Sequence, residues 1–308
     1  MTAQATRPVA VDELRRAWLA VQAGDFRHPA AQPRTPAPSS STLAVPRTPT
    51  LVGRWMPASG ELVVPVVGAA GSCGATTVAL ALATAVEGRA RVVECASASL
   101  SGLAAASTAE LGADGHGWVH GTRDHVQLDR ADGVRTHPDA VPHPSSVDTP
   151  VVSVIDVGSQ LEQVLAGHGW LTGLLTTAPT IVVVGRATVP GLRRLESALH
   201  LLDADSVIAT VLGPPRRRWP RSVAHSAGGL TGALIASGRL VEVPEDRTLA
   251  VHGLTPDPLP TPLLTAAGVL LSHLEGNPHH AYGLPPPAAA GVPGRPRERR
   301  EVRRPDHR

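Results

Sequence analysis

Residues 63–83 read VVPVVGAAGSCGATTVALALA. An apolar run enters a turn carrying Gly68, Gly71 and Gly74, and a helix-forming run of Ala, Val and Leu leaves it through Thr76 and Thr77. A buried strand, a glycine-rich turn and a helix, in that order, build a cradle for an anion. Backbone N–H groups of the turn converge, the helix N-terminus adds partial positive charge, and glycine lets the chain come close to its ligand. The pattern that suits phosphates is GxxxxGK[ST], in which the lysine reaches the outer phosphates and the hydroxyl holds Mg²⁺. In this chain Ala69 stands at the first glycine with Gly68 before it, Gly74 at the second, Ala75 at the lysine and Thr76 at the hydroxyl. The turn and its hydroxyls are kept; the ammonium group is not.

From residue 61 onward, short Val/Ile-rich runs alternate with helical stretches. The runs are 62–67, 91–95, 151–155, 180–184, 206–212 and 239–243, and the helices fall near 75–87, 160–167, 190–202, 222–236 and 258–275. In the third helix Leu192, Leu195, Leu199 and Leu202 recur at helical spacing. Continuous apolar strands separated by amphipathic helices predict an α/β fold with a mostly parallel sheet covered on both faces, three layers in all. Pro65 sits badly in this scheme, because proline cannot donate to a strand ladder. Residues 112–149 break the rhythm. GWVHGTRDHVQLDR reads as a hairpin with Gly121, Thr122, Arg123 and Asp124 as its turn, followed by a Pro/His-rich loop. The histidines of this region, His116, His120, His125, His137 and His143, match no metal-ligand spacing and read as exposed loop residues.

The flanks differ from the body. Residues 1–26 hold an amphipathic helix over 9–23, with Val11, Leu14, Trp18 and Val21 on one side and Gly24 as its stop. Residues 27–60 carry seven prolines around a Ser run and read as an extended linker. The folded domain is expected over 61–280, and 281–308 reads as a disordered, low-complexity basic tail.

All 28 basic residues are arginine. No lysine elsewhere in the chain can therefore reach a phosphate. Residues 1–60 carry 7 Arg against 3 acids, as do 281–308, whereas 61–280 carry 14 Arg against 20 acids. An acidic body between two basic arms is a poor general binder of DNA, although the arms themselves could touch nucleic acid, anionic lipid or the body. Cys73 and Cys95, the two cysteines, exclude a disulfide framework and a zinc knuckle. With no signal-peptide pattern and no apolar stretch long enough to span a bilayer, a cytoplasmic location is expected. The segment PRRRWPR, 215–221, sets four arginines around Trp219 and suits a salt-bridge loop, a partner contact or a grip on nucleic acid.

Gly71-Ser72-Cys73-Gly74-Ala75-Thr76-Thr77 resembles the deviant Walker A motif, KGGxGKTT, of the ParA/MinD family of P-loop ATPases. The likeness extends over roughly 62–275. VVSVIDVGS resembles the Walker B strand ending at Asp156, and VEVPEDRTLAVHGL resembles the family's C-terminal region. The resemblance implies a P-loop NTPase fold and a homodimer that binds ATP and Mg²⁺. Gly71, Ser72, Cys73, Gly74, Ala75, Thr76 and Thr77 would hold the nucleotide. Thr76 and Asp156 would hold the metal, Asp156 through water and as the surviving catalytic carboxylate. The departures are the family's two lysines, at Ala70 and Ala75, and an aspartate that assists water attack, at Ala96. Losing one preorganised charge-stabilising donor costs roughly 10²–10³ in rate, so hydrolysis is expected to be very slow or absent.

Two functions follow as expectations. One is an ATP-dependent switch in plasmid or chromosome partition, or in positioning a cellular machine, with a protein partner held by 9–23 or the tail. The other is a non-enzymatic adaptor on an ATPase-like scaffold that recognises a protein or DNA through the N-terminal helix and the Arg-rich tail.

Overall fold

The computed structural model describes residues 55–146 and 152–275. The helix at 9–23, the linker as far as residue 54 and the tail at 281–308 lie outside the described residues.

The strands are β1 (Leu62–Gly68), β2 (Ala90–Glu94), β3 (Ala109–Ala113), β4 (Trp118–Arg123), β5 (Val126–Ala131), β6 (Val152–Asp156), β7 (Ile181–Arg186), β8 (Val207–Leu212) and β9 (Leu240–Val243). They form one sheet in the order β3-β4-β5-β2-β6-β1-β7-β8-β9. From β5 to β9 every neighbouring pair is parallel; β3-β4 and β4-β5 are antiparallel. The helices are α1 (Ala75–Ala85), α2 (Leu161–Leu165), α3 (Trp170–Thr177), α4 (Val189–Leu201), α5 (Arg221–Ala224), α6 (Gly229–Ala236), α7 (Arg247–His252) and α8 (Thr261–Glu275).

Side-chain alternation along the strands divides the core in two. Val64, Val66, Val92, Val154, Val182 and Val184 face α1 and α8. Val67, Val93, Ile155, Ile181 and Val183 face α2, α3, α4 and α6. Because both faces are covered, the central strands read as unbroken apolar runs. The expected three-layer α/β/α fold is the one observed. Burying a Val, Leu or Ile side chain from water stabilises by about 1.5–3 kcal/mol, so these two layers carry the fold. Pro65 is accommodated by register. On the β6 side it pairs with Ile155, and the β7 ladder begins only at Val66, one residue beyond the missing N–H.

Three expectations need correction. The hairpin turn is at Asp124 and His125; Gly121, Thr122 and Arg123 belong to β4. Asp124 takes the left-handed conformation with φ 51°, which Asp tolerates. Gly121 serves the β3 contact instead, since a Cβ there would stand 2.6 Å from Ser107 Oγ. The helix expected over 222–236 is two, α5 and α6, because Glu196 of α4 enters the gap and caps α6. Its carboxylate accepts the amides of Leu230 (2.8 Å) and Thr231 (2.9 Å) and the Thr231 hydroxyl (2.7 Å). Finally, His120 is no loop residue. It lies in β4, largely buried, with Nδ1 2.7 Å from Asp129 and Nε2 3.4 Å from Asp114. The segment 109–113 adds a strand, and 170–177 and 247–252 add helices, that periodicity did not suggest.

Candidate functional site

In an open parallel sheet, ligands bind beyond the carboxyl ends of the strands where the chain reverses its direction of travel across the sheet. Here that place is β1. The chain moves from β1 outward to β2, returns to β6 on one side of β1, then departs through β7 on the other. The turn that leaves β1 is the glycine-rich stretch.

The turn is anchored at its start, where the Ala69 amide donates to the Val184 carbonyl at 2.8 Å. Gly71 and Ser72 are exposed, and Ser72 is left-handed with φ 57°. Gly74, with φ 96°, starts α1, and a Cβ there would lie 2.5 Å from Leu212 Cδ2. No side chain caps α1. Its first amides, that of Ala75 apart, are thus left for another acceptor, as an anion site needs. Cys73 is buried under the turn. Burial raises its pKa, while the amides of Ala70 and Ala75 bear on the sulfur and pull the other way. Two loop amides are thereby directed at the chain's own thiol.

Thr76 enters α1 opposite the end of β6, where Asp156 terminates the strand. Asp156 is 1% exposed, and both of its carboxylate oxygens are buried without a hydrogen-bond partner. The Thr76 hydroxyl and the Gly158 amide are near enough to favour its charge, though neither reaches hydrogen-bond geometry. Burial first, and the charge of Glu94 second, outweigh them and push its pKa to about 7. A buried carboxylate with no cation and no donor in hydrogen-bond geometry is costly.

Glu94 was not among the residues anticipated from sequence. It ends β2 as Asp156 ends β6, and the two are register partners. The signal was present: RVVEC and VVSVID each close an apolar strand with an acid. Burial raises the Glu94 pKa against the donors that hold it. Its carboxylate accepts the Ser101 hydroxyl (2.5 Å), the Gly102 amide (2.8 Å) and the Leu103 amide (3.4 Å). Gly102 in turn presses on Thr76, for a Cβ at 102 would stand 3.2 Å from Thr76 Cγ2. Loops after β2 and β6 meet at Ala96 and Gly158, where a Cβ on the glycine would lie 2.6 Å from the Ala96 amide nitrogen.

The anticipated residues therefore gather at one end of the sheet. Gly71, Ser72, Cys73, Gly74, Ala75, Thr76 and Thr77 form the turn and first helical residues, with Asp156 beside Thr76. Beyond the same ends of the sheet strands, Arg186 pairs with Glu245, and Arg216 with Glu242 at 3.5 Å. Among the described residues no group of three or more His, Cys, Asp or Glu side chains is arranged to hold a metal. A divalent ion at this site would rest on one carboxylate, one hydroxyl and its own water or phosphate oxygens, a coordination normal for Mg²⁺. The orphaned Asp156 fits that requirement. Among the described residues no helix is long and apolar enough to cross a membrane.

No protein-family model matches the sequence. No curated protein matches it either. Among solved structures the chain is similar to the cell division ATPase MinD of Pyrococcus furiosus, at 16% identity over 70% of this chain and 99% of that one, with TM-score 0.42. It is also similar to McdA of Cyanothece in an ATP complex, at 11% identity over 70% and 96%, TM-score 0.42. A third similarity is to a plasmid partition protein of Borrelia burgdorferi bound to AMPPNP, at 10% identity over 70% and 99%, TM-score 0.40.

Proposed function

We propose that this chain is a ParA/MinD-like nucleotide-binding protein that takes ATP with Mg²⁺ and works as a switch with little or no hydrolysis. The observation that carries the reading is the unpartnered, buried Asp156 facing Thr76 at the mouth of an uncapped helix. Phosphate oxygens would lie on the amides of the turn from Gly71 to Thr77, and the metal on Thr76 and Asp156. When bound, the metal supplies neutralisation of phosphate charge. The chain's own groups bind and orient; Glu94 holds residues 101–103 against Thr76 and narrows the entrance.

The reading separates binding from turnover. Backbone amides and a metal hold a nucleotide without lysine. Transfer needs charge where it develops, and Ala70, Ala75 and Ala96 supply none. The proposed role is regulatory, with nucleotide occupancy setting homodimerisation in the cytoplasm and so the engagement of a partner in partition or in positioning a cellular machine. The deciding experiment is calorimetric titration of the full chain with ATP and Mg²⁺. Saturable heat that is lost in Thr76→Ala and Asp156→Ala supports the switch. No heat from the unaltered chain overturns it and leaves the adaptor, which the amides of Ala70 and Ala75 directed at Cys73 favour. In an intact but lysine-less site, Ala75→Lys is expected to raise ATP turnover.

A further inference from the structure

The arginines of the described residues fall into two groups. Arg91, Arg130, Arg186, Arg216 and Arg239 each face a carboxylate. Arg123 and Arg135 are satisfied by backbone carbonyls. Of those left without an acceptor among the described residues, Arg217, Arg218 and Arg221 share one short exposed segment after β8, and Arg193 and Arg194 lie early in α4, after β7. Both segments follow the carboxyl ends of adjacent parallel strands, and α4 packs on α5.

This segment is built to be rigid. Residues Arg216–Arg218 form a single 3₁₀ turn between Pro215 and Pro220. The Arg218 amide donates to the Pro215 carbonyl at 2.7 Å, and the Trp219 amide to the Arg216 carbonyl at 3.0 Å. The Trp219 indole N–H donates to the Pro214 carbonyl at 2.8 Å, with its ring half-buried against the core. None of the turn's three residues is buried. Consecutive guanidinium groups repel, and among the described residues none of Arg217, Arg218 and Arg221 has a carboxylate to offset that. A preorganised arginine turn beside an anchored tryptophan is the composition of an interface hot spot, and its rigidity lowers the entropy cost of binding.

We infer that the Arg217–Arg218–Arg221 turn docks a short acidic segment of a protein partner. Local charge selects the acidic segment over a long nucleic acid. The patch is small, and the body around it is acidic, with 14 Arg against 20 acids over 61–280. A duplex running off the patch would meet that negative surface, whereas a peptide of a few acids would not.

The test uses the full chain and two fluorescent probes, a decaglutamate peptide and a random-sequence DNA duplex, followed by anisotropy at low and physiological salt. Arg217→Glu/Arg218→Glu/Arg221→Glu is compared with a reversal of equal charge in the tail, Arg297→Glu/Arg299→Glu/Arg300→Glu; melting curves confirm that both variants fold. The expected result is at least about a tenfold loss of peptide affinity in the turn variant and less than about a twofold change in the tail variant. Unchanged peptide binding in the turn variant overturns the inference, as does loss confined to the tail variant. Duplex binding tighter than peptide binding, and abolished by the turn reversals, overturns it in favour of nucleic acid.

Discussion

Replacing Asp156 by Asn is expected to stabilise the empty protein and to abolish its response to metal and nucleotide. The magnitude follows from the site. Asp156 has an ordinary value of 3.8 and is pushed to about 7 by burial first and by Glu94 second. The folded state therefore holds a proton on this carboxyl that the unfolded chain releases near pH 4. Between those two values the native state binds more protons than the unfolded state, so stability falls as pH rises. About three units at 1.36 kcal/mol each give on the order of 4 kcal/mol for the whole window, more than half of it between pH 5 and 8. Asn is close to isosteric with the neutral acid. Its unpartnered amide costs about what the protonated carboxyl costs, roughly 1–3 kcal/mol, so that term cancels.

The assay is chemical denaturation with a metal chelator present, at pH 5 and pH 8, for the parent and Asp156→Asn. The parent should lose stability between the two pH values. The variant should lose much less, keep a residual slope from Glu94 and His120, and be the more stable protein at pH 8. Adding ATP and Mg²⁺ at pH 8 should close most of that gap. A ligand at 100 times its dissociation constant stabilises the parent by about 2.7 kcal/mol, at 1,000 times by about 4.1, and leaves the variant where it was. A parent whose stability is flat from pH 5 to 8, or a variant with the same slope, would refute the reasoning.

Three further outcomes follow from individual contacts. Glu196→Ala removes the cap of α6 and should cost about 1–2 kcal/mol by urea denaturation; a loss below a few tenths would show that the contacts to Leu230 and Thr231 carry little energy. Burial opposes the Glu196 charge, but Thr231 and Leu230 outweigh it and lower the pKa, so this stabilisation stands above the usual Glu range and disappears as pH falls through the lowered value. Burial also opposes charge on His120, yet Asp129 and Asp114 prevail and raise its pKa. Its contribution is complete below the usual His value and is lost as pH rises through the raised one, which NMR titration of the ring and melting of His120→Asn can follow. Gly74→Ala meets both a left-handed φ and Leu212 and should destabilise by about 1–3 kcal/mol, whereas Gly71→Ala opens into free space and should stay within about 0.5 kcal/mol, both read by thermal melts.

The parallel strands were legible because burial on both faces leaves an uninterrupted apolar run, which needs no knowledge of the partner strand. The antiparallel extension was harder to read. β3, AELGA, is exposed along its whole length and has no apolar face to betray it, and Gly121 resembled a turn residue while serving a close backbone approach. α5 and α6 looked like one helix because nothing local reports that Glu196, from thirty residues earlier, would cap the second of them. At the site, Thr76 and Asp156 were accessible through their place in a motif. Glu94 lies outside the motif, which points to the residue two positions later, although an acid closing a buried strand is as anomalous in RVVEC as in VVSVID. The side to which the Cys73 sulfur turns depends on loop geometry that residue types do not encode.

The balance between switch and adaptor turns on what a buried, unpartnered carboxylate is worth. A domain of this size has about 5–15 kcal/mol of net stability, so on the order of 4 kcal/mol at neutral pH is a large share to forgo for a side chain that makes no hydrogen bond. A scaffold that only holds its shape gains nothing from that sacrifice, and Asn, Ser or Val at the end of β6 would serve it better. A divalent cation between Asp156 and Thr76 changes the sign: the same low-dielectric site that penalises the lone charge strengthens its attraction to a metal. Lysine is not part of that exchange. Ala70 and Ala75 would leave the far side of bound phosphates without positive charge, where transfer would need it, and leave in place the carboxylate and the hydroxyl that the proposed binding uses. On these terms the proposed site would be poorly made for turnover and well made for occupancy.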